Sequence, residues 1–474
     1  MSEKYLSRRS FLAGAAAVTA SGVLAACTPP APAPTAASPT TAAESPTAVP
    51  QVEAPTAAPA AGDIIRLWCC WGGESYLKAI QACQELPEWK EAIGNNTFEL
   101  KDSIGDEPVL TAIASGDPPD AAACVEYLDY MARDVLLPID EMLAASTIVK
   151  KDDFIEGAWD FVSYKGVTYG IPAIEGFLPF GVNYNLKLVE EVGLDASKLP
   201  ETWDDWYGWA EKLTKKDDAG NVLRVGLNPY DAMGGGVWYA GGWMAPVSFG
   251  LKWFDDKTKT FDLNNEKMVD AFTTFKKFVD LVGAENLVAL YSVEGHDSWG
   301  GAYNAEVQAA LIEGYWHPGE TANSAPEVAK YNRATWLPVP ESRRGVKAQC
   351  FYTHMSVFFK DAKNPQVAYK LGEVFTLKAA CDAFFNNLGW LPPILSYVAN
   401  VDGSVYPGLD FYLDSVDKVT EWHTPGKCEI TRFINNEYLN LVDKVNHGEM
   451  TPAQAAEELQ RRCEEEYKNQ GFAG

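Results

Sequence analysis

Positive charge is scarce in this chain. Its 474 residues carry 39 Lys and Arg against 65 Asp and Glu, a formal net charge of -26 at pH 7. Phosphate backbones and anionic membrane faces are gripped by clustered basic side chains, so nucleic-acid binding is set aside. Histidine is sparse as well. The five His are dispersed and no Cys-x-x-Cys pair accompanies them, which argues against a zinc site. No cofactor is expected. A Gly-x-x-x-x-Gly-Lys-Ser/Thr loop is also missing, so the chain lacks the phosphate cradle of an ATPase. The small-residue apolar run from Ala13 to Ala26 is several residues short of the roughly 18 to 20 needed to cross hydrocarbon.

What is present is apolar and aromatic. With 47% hydrophobic residues the chain is long enough for two compact domains, each with a core. Aromatic content is 12%, including 15 Trp, and large rings are costly to leave solvated unless they pack or bind something. Some of them are expected to face a ligand.

Ser7-Arg8-Arg9-Ser10-Phe11-Leu12 ahead of the Ala13 to Ala26 run reads as a twin-arginine export signal over 1–26. Leu24-Ala25-Ala26-Cys27 resembles the lipobox of bacterial lipoproteins, which implies a diacylated (palmitate-type) Cys27 as the mature N-terminus. Such a chain is held on the outer face of the cell membrane by lipid. From Thr28 to Gly62 the composition turns to Pro, Ala and Thr, with nine prolines. At about 3.1 Å per residue, this stretch of 27–62 is a semi-rigid tether reaching up to roughly 100 Å.

Beyond the tether, Ile64 to Trp71 is an apolar run stopped by Gly72-Gly73 and followed by a helical segment to about Leu86, and Phe98 to Ile104 repeats that punctuation. The alternation predicts α/β lobes with mostly parallel sheets, whose ligands sit outside the carboxyl ends of strands. Thr202 three residues before Asp205 predicts a helix start, as does Thr451-Pro452-Ala453-Gln454 near the end. Met268, Phe272, Phe275, Val279 and Val282 recur at helical spacing and are assigned to core.

Several segments together resemble the extracellular solute-binding proteins of family 1, which include the maltose-binding protein. They are Ser115-Gly116-Asp117-Pro118-Pro119-Asp120, Leu136-Leu137-Pro138-Ile139-Asp140, Lys165-Gly166-Val167-Thr168-Tyr169-Gly170-Ile171-Pro172, Tyr184-Asn185 and Pro200-Glu201-Thr202-Trp203. The resemblance implies a two-lobed α/β fold of the periplasmic-binding-protein type II, with crossover hinges and hinge closure on the ligand. Projected onto this chain, lobe 1 is 63–173 plus 338–388 and lobe 2 is 174–337 plus 389–474. It also implies a monomeric receptor, not an enzyme, that delivers a mono- or oligosaccharide to ABC permease subunits driven by ATP-binding subunits. Cys69-Cys70 and the aromatic excess around 238–243 depart from the family pattern, and both fall where the cleft should be.

A sugar presents hydroxyls at its edge and C–H patches on its faces, so a receptor needs carboxylates or amides at the rim and flat rings above and below. By position Glu175 resembles a family acid that accepts from sugar hydroxyls, with a hinge ion pair as the competing role. Trp316, in Gly314-Tyr315-Trp316, resembles a sugar-stacking Trp, with core packing as the alternative. Trp71 and Glu74 flank the Gly72-Gly73 turn, where backbone can approach a ligand closely. Trp238 and Trp243 stand in a Gly-rich stretch, Trp299 beside Gly300-Gly301, and Trp390 after Gly389 at the expected third crossover. Glu126 and Tyr127 fall where the family carries polar contacts from the first lobe, or else on plain surface. Eight cysteines remain after Cys27. They allow 105 disulfide pairings or buried reduced thiols.

Three other functions compete. A ligand-sensing lipoprotein would pass its closed state to a membrane receptor rather than to a transporter. Acidity and many Trp would suit a polyamine or other cationic or peptide solute through cation–π contacts. Carboxylates among Trp residues are also what a secreted glycoside hydrolase uses.

Overall fold

The computed structural model describes residues 62–472 except 126, 156, 231–243, 294–300 and 424–425. Ten strands make two five-stranded sheets. In chain order β1 (Ile64–Cys69), β2 (Thr97–Lys101), β3 (Ala121–Ala123) and β4 (Gly170–Pro172) belong to the first sheet. β5 (Val182–Asn185), β6 (Lys215–Lys216), β7 (Val222–Asn228), β8 (Gln308–Ile312) and β9 (Asn332–Thr335) belong to the second, and β10 (Met355–Phe358) returns to the first. The orders are β2-β1-β3-β10-β4 and β9-β5-β8-β7-β6. Both sheets lie within one compact unit, residues 60–474.

The sheets are mixed, which corrects the expectation of mostly parallel pairing. β1 pairs in parallel with β2 and β3, and β8 with β7, but β10 runs antiparallel to β3 and β4, and β5 antiparallel to β8 and β9. The reason is the connectivity. β10 enters from the other sheet and therefore starts at the end where β1 and β3 finish.

Local chemistry sets the helices that cover these sheets. The Gly72-Gly73 turn leads into α1 (Gly73–Gln84), and α2 (Asp106–Ala114) follows β2. A four-residue helix, α3 (Ala158–Phe161), precedes a hairpin of Ser163–Tyr164 with Val167–Thr168. α4 (Trp203–Leu213) opens with the reciprocal box anticipated from sequence: Asp205 N–H donates to Thr202 Oγ1 at 3.2 Å and Thr202 N–H to Asp205 Oδ2 at 3.2 Å. The stripe of α5 (Glu266–Val282) is buried throughout, with Phe275 edge-on to Trp203 at 5.2 Å and Phe272 stacked on Tyr438 at 5.1 Å. α6 (His317–Ser324) follows β8 and α7 (Lys378–Leu388) packs on α1. α8 (Thr431–Asn446) and α9 (Pro452–Asn469) close the second core, α9 starting with the Thr451–Gln454 box.

Contacts α6 makes with α7 depend on a glycine pair. A Cβ on Gly319 would stand 2.3 Å from the Cα of Gly389, so only two glycines permit this approach. Ala348 and Cys350 pack into the core of the second sheet, whereas Trp390, Leu391 and Tyr412 pack into a core of the first. Among the described residues no helix is long and apolar enough to cross a membrane.

Cysteine pairing is settled in part. Cys70 and Cys124 form a disulfide with Cα atoms 5.5 Å apart, tying the end of β1 to the turn after β3. Cys69, Cys83, Cys350, Cys381, Cys428 and Cys463 are buried free thiols.

Candidate functional site

Two connections between the sheets lie side by side with the segment Gly389–Leu391. His354 N–H donates to Glu175 O at 2.9 Å, Ala173 N–H to His354 O at 3.3 Å, and Gly176 N–H to Leu391 O at 2.8 Å. The approach is close enough that a Cβ on Gly176 would meet Thr353 Oγ1 at 2.4 Å. Just before Glu175, Ile174 sits at φ 69°, a left-handed conformation that a β-branched residue adopts only when its surroundings enforce it.

A directed hydrogen-bond chain runs through these connections. Tyr127 Oη accepts the backbone N–H of Cys124 at 2.6 Å and of Met355 at 3.2 Å, which occupies both lone pairs. Its own proton therefore goes to His354 Nδ1, 3.2 Å away. Burial pushes the His354 pKa down to about 3, so the ring is neutral and its single proton sits on Nε2. That nitrogen faces Glu175 Oε2 at 3.1 Å. Tyr315 OH stands 3.0 Å from Glu175 Oε1 and 3.1 Å from Leu391 O, so it has two acceptors within reach. Burial raises the Glu175 pKa to about 8, against the pull of the Tyr315 hydroxyl. When Glu175 is ionised Tyr315 donates to it; when protonated, Glu175 can donate to Tyr315, which turns to Leu391 O.

Rings surround the chain. Trp71 is buried, edge-on to His354 at 4.7 Å and tilted against Trp390 at 5.1 Å. It is presented by the turn after β1, where Gly72 lies so close to Ser103 that a Cβ would meet its Oγ at 2.0 Å, and Gly73 has φ 83°. Trp390 stacks on Phe384 and donates its Nε1–H to Glu320 Oε1 at 2.7 Å. Glu320 Oε2 is buried with no hydrogen-bond partner among the described residues. Burial raises the Glu320 pKa to about 8, and the charge of Glu175 adds to the effect. Trp316 is buried at the N-cap of α6, 5.5 Å from Tyr315, its six-membered ring where a Cβ on Gly314 would fall. The next residue, His317, pairs through Nδ1 with Glu313 four positions back, and burial holds the His317 pKa down at about 3.

Of the residues singled out from sequence, Trp71, Tyr127, Glu175 and Trp390 are brought around His354, and Trp316 lies next to Tyr315 on the far side of Glu175. Glu74 is not brought in: it is exposed in the first turn of α1, where the hydrogen bond from Lys78 at 2.6 Å lowers its pKa. Glu126, Trp238, Trp243, Trp299 and Cys27 lie outside the described residues. Sequence reasoning missed His354, Tyr315 and Glu320. Tyr315 was adjacent to a chosen Trp, and Glu320 is four positions after Trp316, one helical turn away. His354 carried no local signal. Among the described residues no cluster of three His, Cys, Asp or Glu side chains is placed to hold a metal ion.

Edge-on and tilted rings, carboxylates held among hydroxyl donors, and connections laid side by side between two mixed sheets make a two-sheet α/β fold with an enclosed polar and aromatic site. The chain belongs to the bacterial extracellular solute-binding proteins, whose family model matches residues 84–380. No curated protein matches it. Among solved structures it is similar in fold to CpMnBP1 with mannotriose bound, at 20% identity and a TM-score of 0.72, over 84% of this chain and 99% of that one. It is similar too to an ABC transporter solute-binding protein from Thermotoga lettingae TMO bound with α-D-tagatose, at 17% identity and TM-score 0.70, over 85% and 99% of the two chains. The maltose/maltodextrin-binding domain from Bdellovibrio bacteriovorus bound to maltotriose matches at 18% identity and TM-score 0.66, over 85% and 100%.

Proposed function

We propose that this protein is the carbohydrate-binding receptor of an ABC importer, exported by its 1–26 signal and held outside the membrane through lipidated Cys27. The 27–62 stretch tethers it near permease subunits. Two lobes, one on each sheet, part and close about the connections through Ala173–Gly181 and Phe351–His354, with Gly389–Leu391 packed beside them. The sugar lies between them, against Trp71, Trp316 and Trp390, with Glu175 and Glu320 at its hydroxyl edge. Trp238, Trp243, Trp299, Glu126, Tyr127 and Glu74 remain candidate contacts. The protein acts as a monomer, without a cofactor or a catalytic step of its own.

One observation carries the reading. Three buried Trp rings and two buried carboxylates converge where the sheets are connected. Buried carboxylates are costly unless hydrogen-bonded, and Glu320 Oε2 stands ready to take a hydroxyl. The sugars named for the similar structures are of the matching chemistry.

Calorimetric titration with mannotriose, maltotriose, tagatose and spermidine tests it. Saturable binding of a sugar with closure supports the proposal. Binding of spermidine alone would move the function to a cationic solute, and release of reducing sugar at enzymatic rates would make the protein a hydrolase.

A further inference from the structure

A second meeting of the two sheets lies at the segment 427–432. Cys428 and Ile430 anchor this segment in the core of the second sheet. Three of its charged side chains reach across to the first. Lys427 Nζ donates to Asp160 O at 2.7 Å, Asp160 Oδ1 at 2.9 Å and Ser163 O at 3.0 Å, which uses all three of its protons at the end of α3. Glu429 Oε1 accepts from Tyr164 OH at 2.9 Å, and Tyr164 packs with Met355 and Val357 under the first sheet. Arg432 pairs with Glu107 in the first turn of α2.

Glu429 is buried and also held from its own side, by Tyr467 OH on Oε2 at 2.8 Å and by Lys259 Nζ at 3.2 Å. Burial works to raise its pKa, but its own N–H, Tyr467, Tyr164 and Lys259 outweigh this and keep it below the usual carboxylate range. The group therefore stays charged. Parting the sheets would strip Tyr164 from that carboxylate and three acceptors from the Lys427 ammonium.

We propose that Lys427, Glu429 and Arg432 form a polar latch that sets how much of the ligand-free receptor is closed, and so tunes affinity without touching the ligand. This rests on the reading above that the two lobes part and close. Apparent affinity falls with the fraction of binding-competent molecules, so a residue that changes only this fraction changes the dissociation constant in proportion.

The test compares wild type with Lys427→Met and Tyr164→Phe, using Lys277→Met as a control that cuts only the Lys277–Asp204 pair between α5 and α4 within the second lobe. Small-angle X-ray scattering without ligand gives the radius of gyration, far-UV circular dichroism checks the fold, and mannotriose titration gives affinity. The expected result is a larger ligand-free radius for both latch variants, contraction by mannotriose, and an apparent Kd weaker by about three- to tenfold. Lys277→Met keeps the wild-type radius. Equal radii for wild type and both latch variants overturn the latch, as does an equal expansion in Lys277→Met. If Lys427→Met does not fold, Tyr164→Phe, which removes one oxygen, decides alone. Failure of mannotriose to bind wild type counts against the sugar reading, while the ligand-free scattering still decides on the latch.

Discussion

His354 Nε2 stands 3.1 Å from Glu175 Oε2, joining two of the connections between the sheets. Two backbone N–H groups on Tyr127 fix the direction of that bond, because they force the Tyr127 proton onto His354 Nδ1. A change in the charge of Glu175 is thereby felt at both sheets.

Stability should fall as pH rises from 7 to 9. Glu175 has its folded pKa raised from 4.5 to about 8, so its contribution is fully present below 4.5 and is lost as pH passes through 8. Glu320 acts in the same direction, also with a pKa of about 8. His354 and His317, lowered from 6.5 to about 3, contribute stability that is present above 6.5 and lost as pH falls toward 3. Between 7 and 8 each of these two carboxylates slopes by up to about 1.4 kcal/mol per pH unit, and His447, raised from 6.5 by Asp443, slopes in the same direction. Urea unfolding of Glu175→Gln at pH 7, 8 and 9 should show a shallower decline than wild type. Parallel curves would remove Glu175 as the source.

Trp316→Ala should weaken sugar binding tenfold or more, about 1.4 kcal/mol, with the fold kept. Calorimetry with the best-bound sugar of the panel checks the affinity and circular dichroism the fold. Unchanged affinity would return Trp316 to plain core.

Gly319→Ala should destabilise the protein by about 1–3 kcal/mol, because the added methyl has backbone, not a yielding side chain, 2.3 Å away at Gly389. Chemical denaturation measures it. As α6 also carries Glu320, the partner of Trp390, sugar affinity should drop in the same variant.

Reducing the Cys70–Cys124 bond should lower stability by about 2–4 kcal/mol, as expected for a crosslink closing a loop of this size. The six free thiols should resist Ellman's reagent until the chain unfolds. Burial pushes Cys69, Cys83, Cys381 and Cys428 up to about 12, and Cys350 and Cys463 are raised as well. Rapid reaction in the native state would contradict their burial.

Short-range physics was legible in the sequence. The boxes at Thr202 and Thr451 depend on residues three apart, and the α5 stripe on a period of 3.6, so the chain alone determined where those helices begin and which face is buried. The ordered family segments likewise pointed to the fold. Trp71 and Trp390 could be chosen because each stands beside a glycine turn, and Glu175 and Trp316 because their segments resemble those of the family.

Tertiary structure alone decided the rest. His354 meets Glu175, and Cys70 meets Cys124, only because separate connections and strand ends are laid side by side, and no periodicity encodes such pairings. The antiparallel entry of β10 was hidden for the same reason: strand direction depends on which sheet the chain arrives from. Glu74 and Glu175 are chemically alike in sequence. Burial, which the fold assigns to one and withholds from the other, makes Glu74 a solvated helix-turn carboxylate and Glu175 a group that titrates near pH 8.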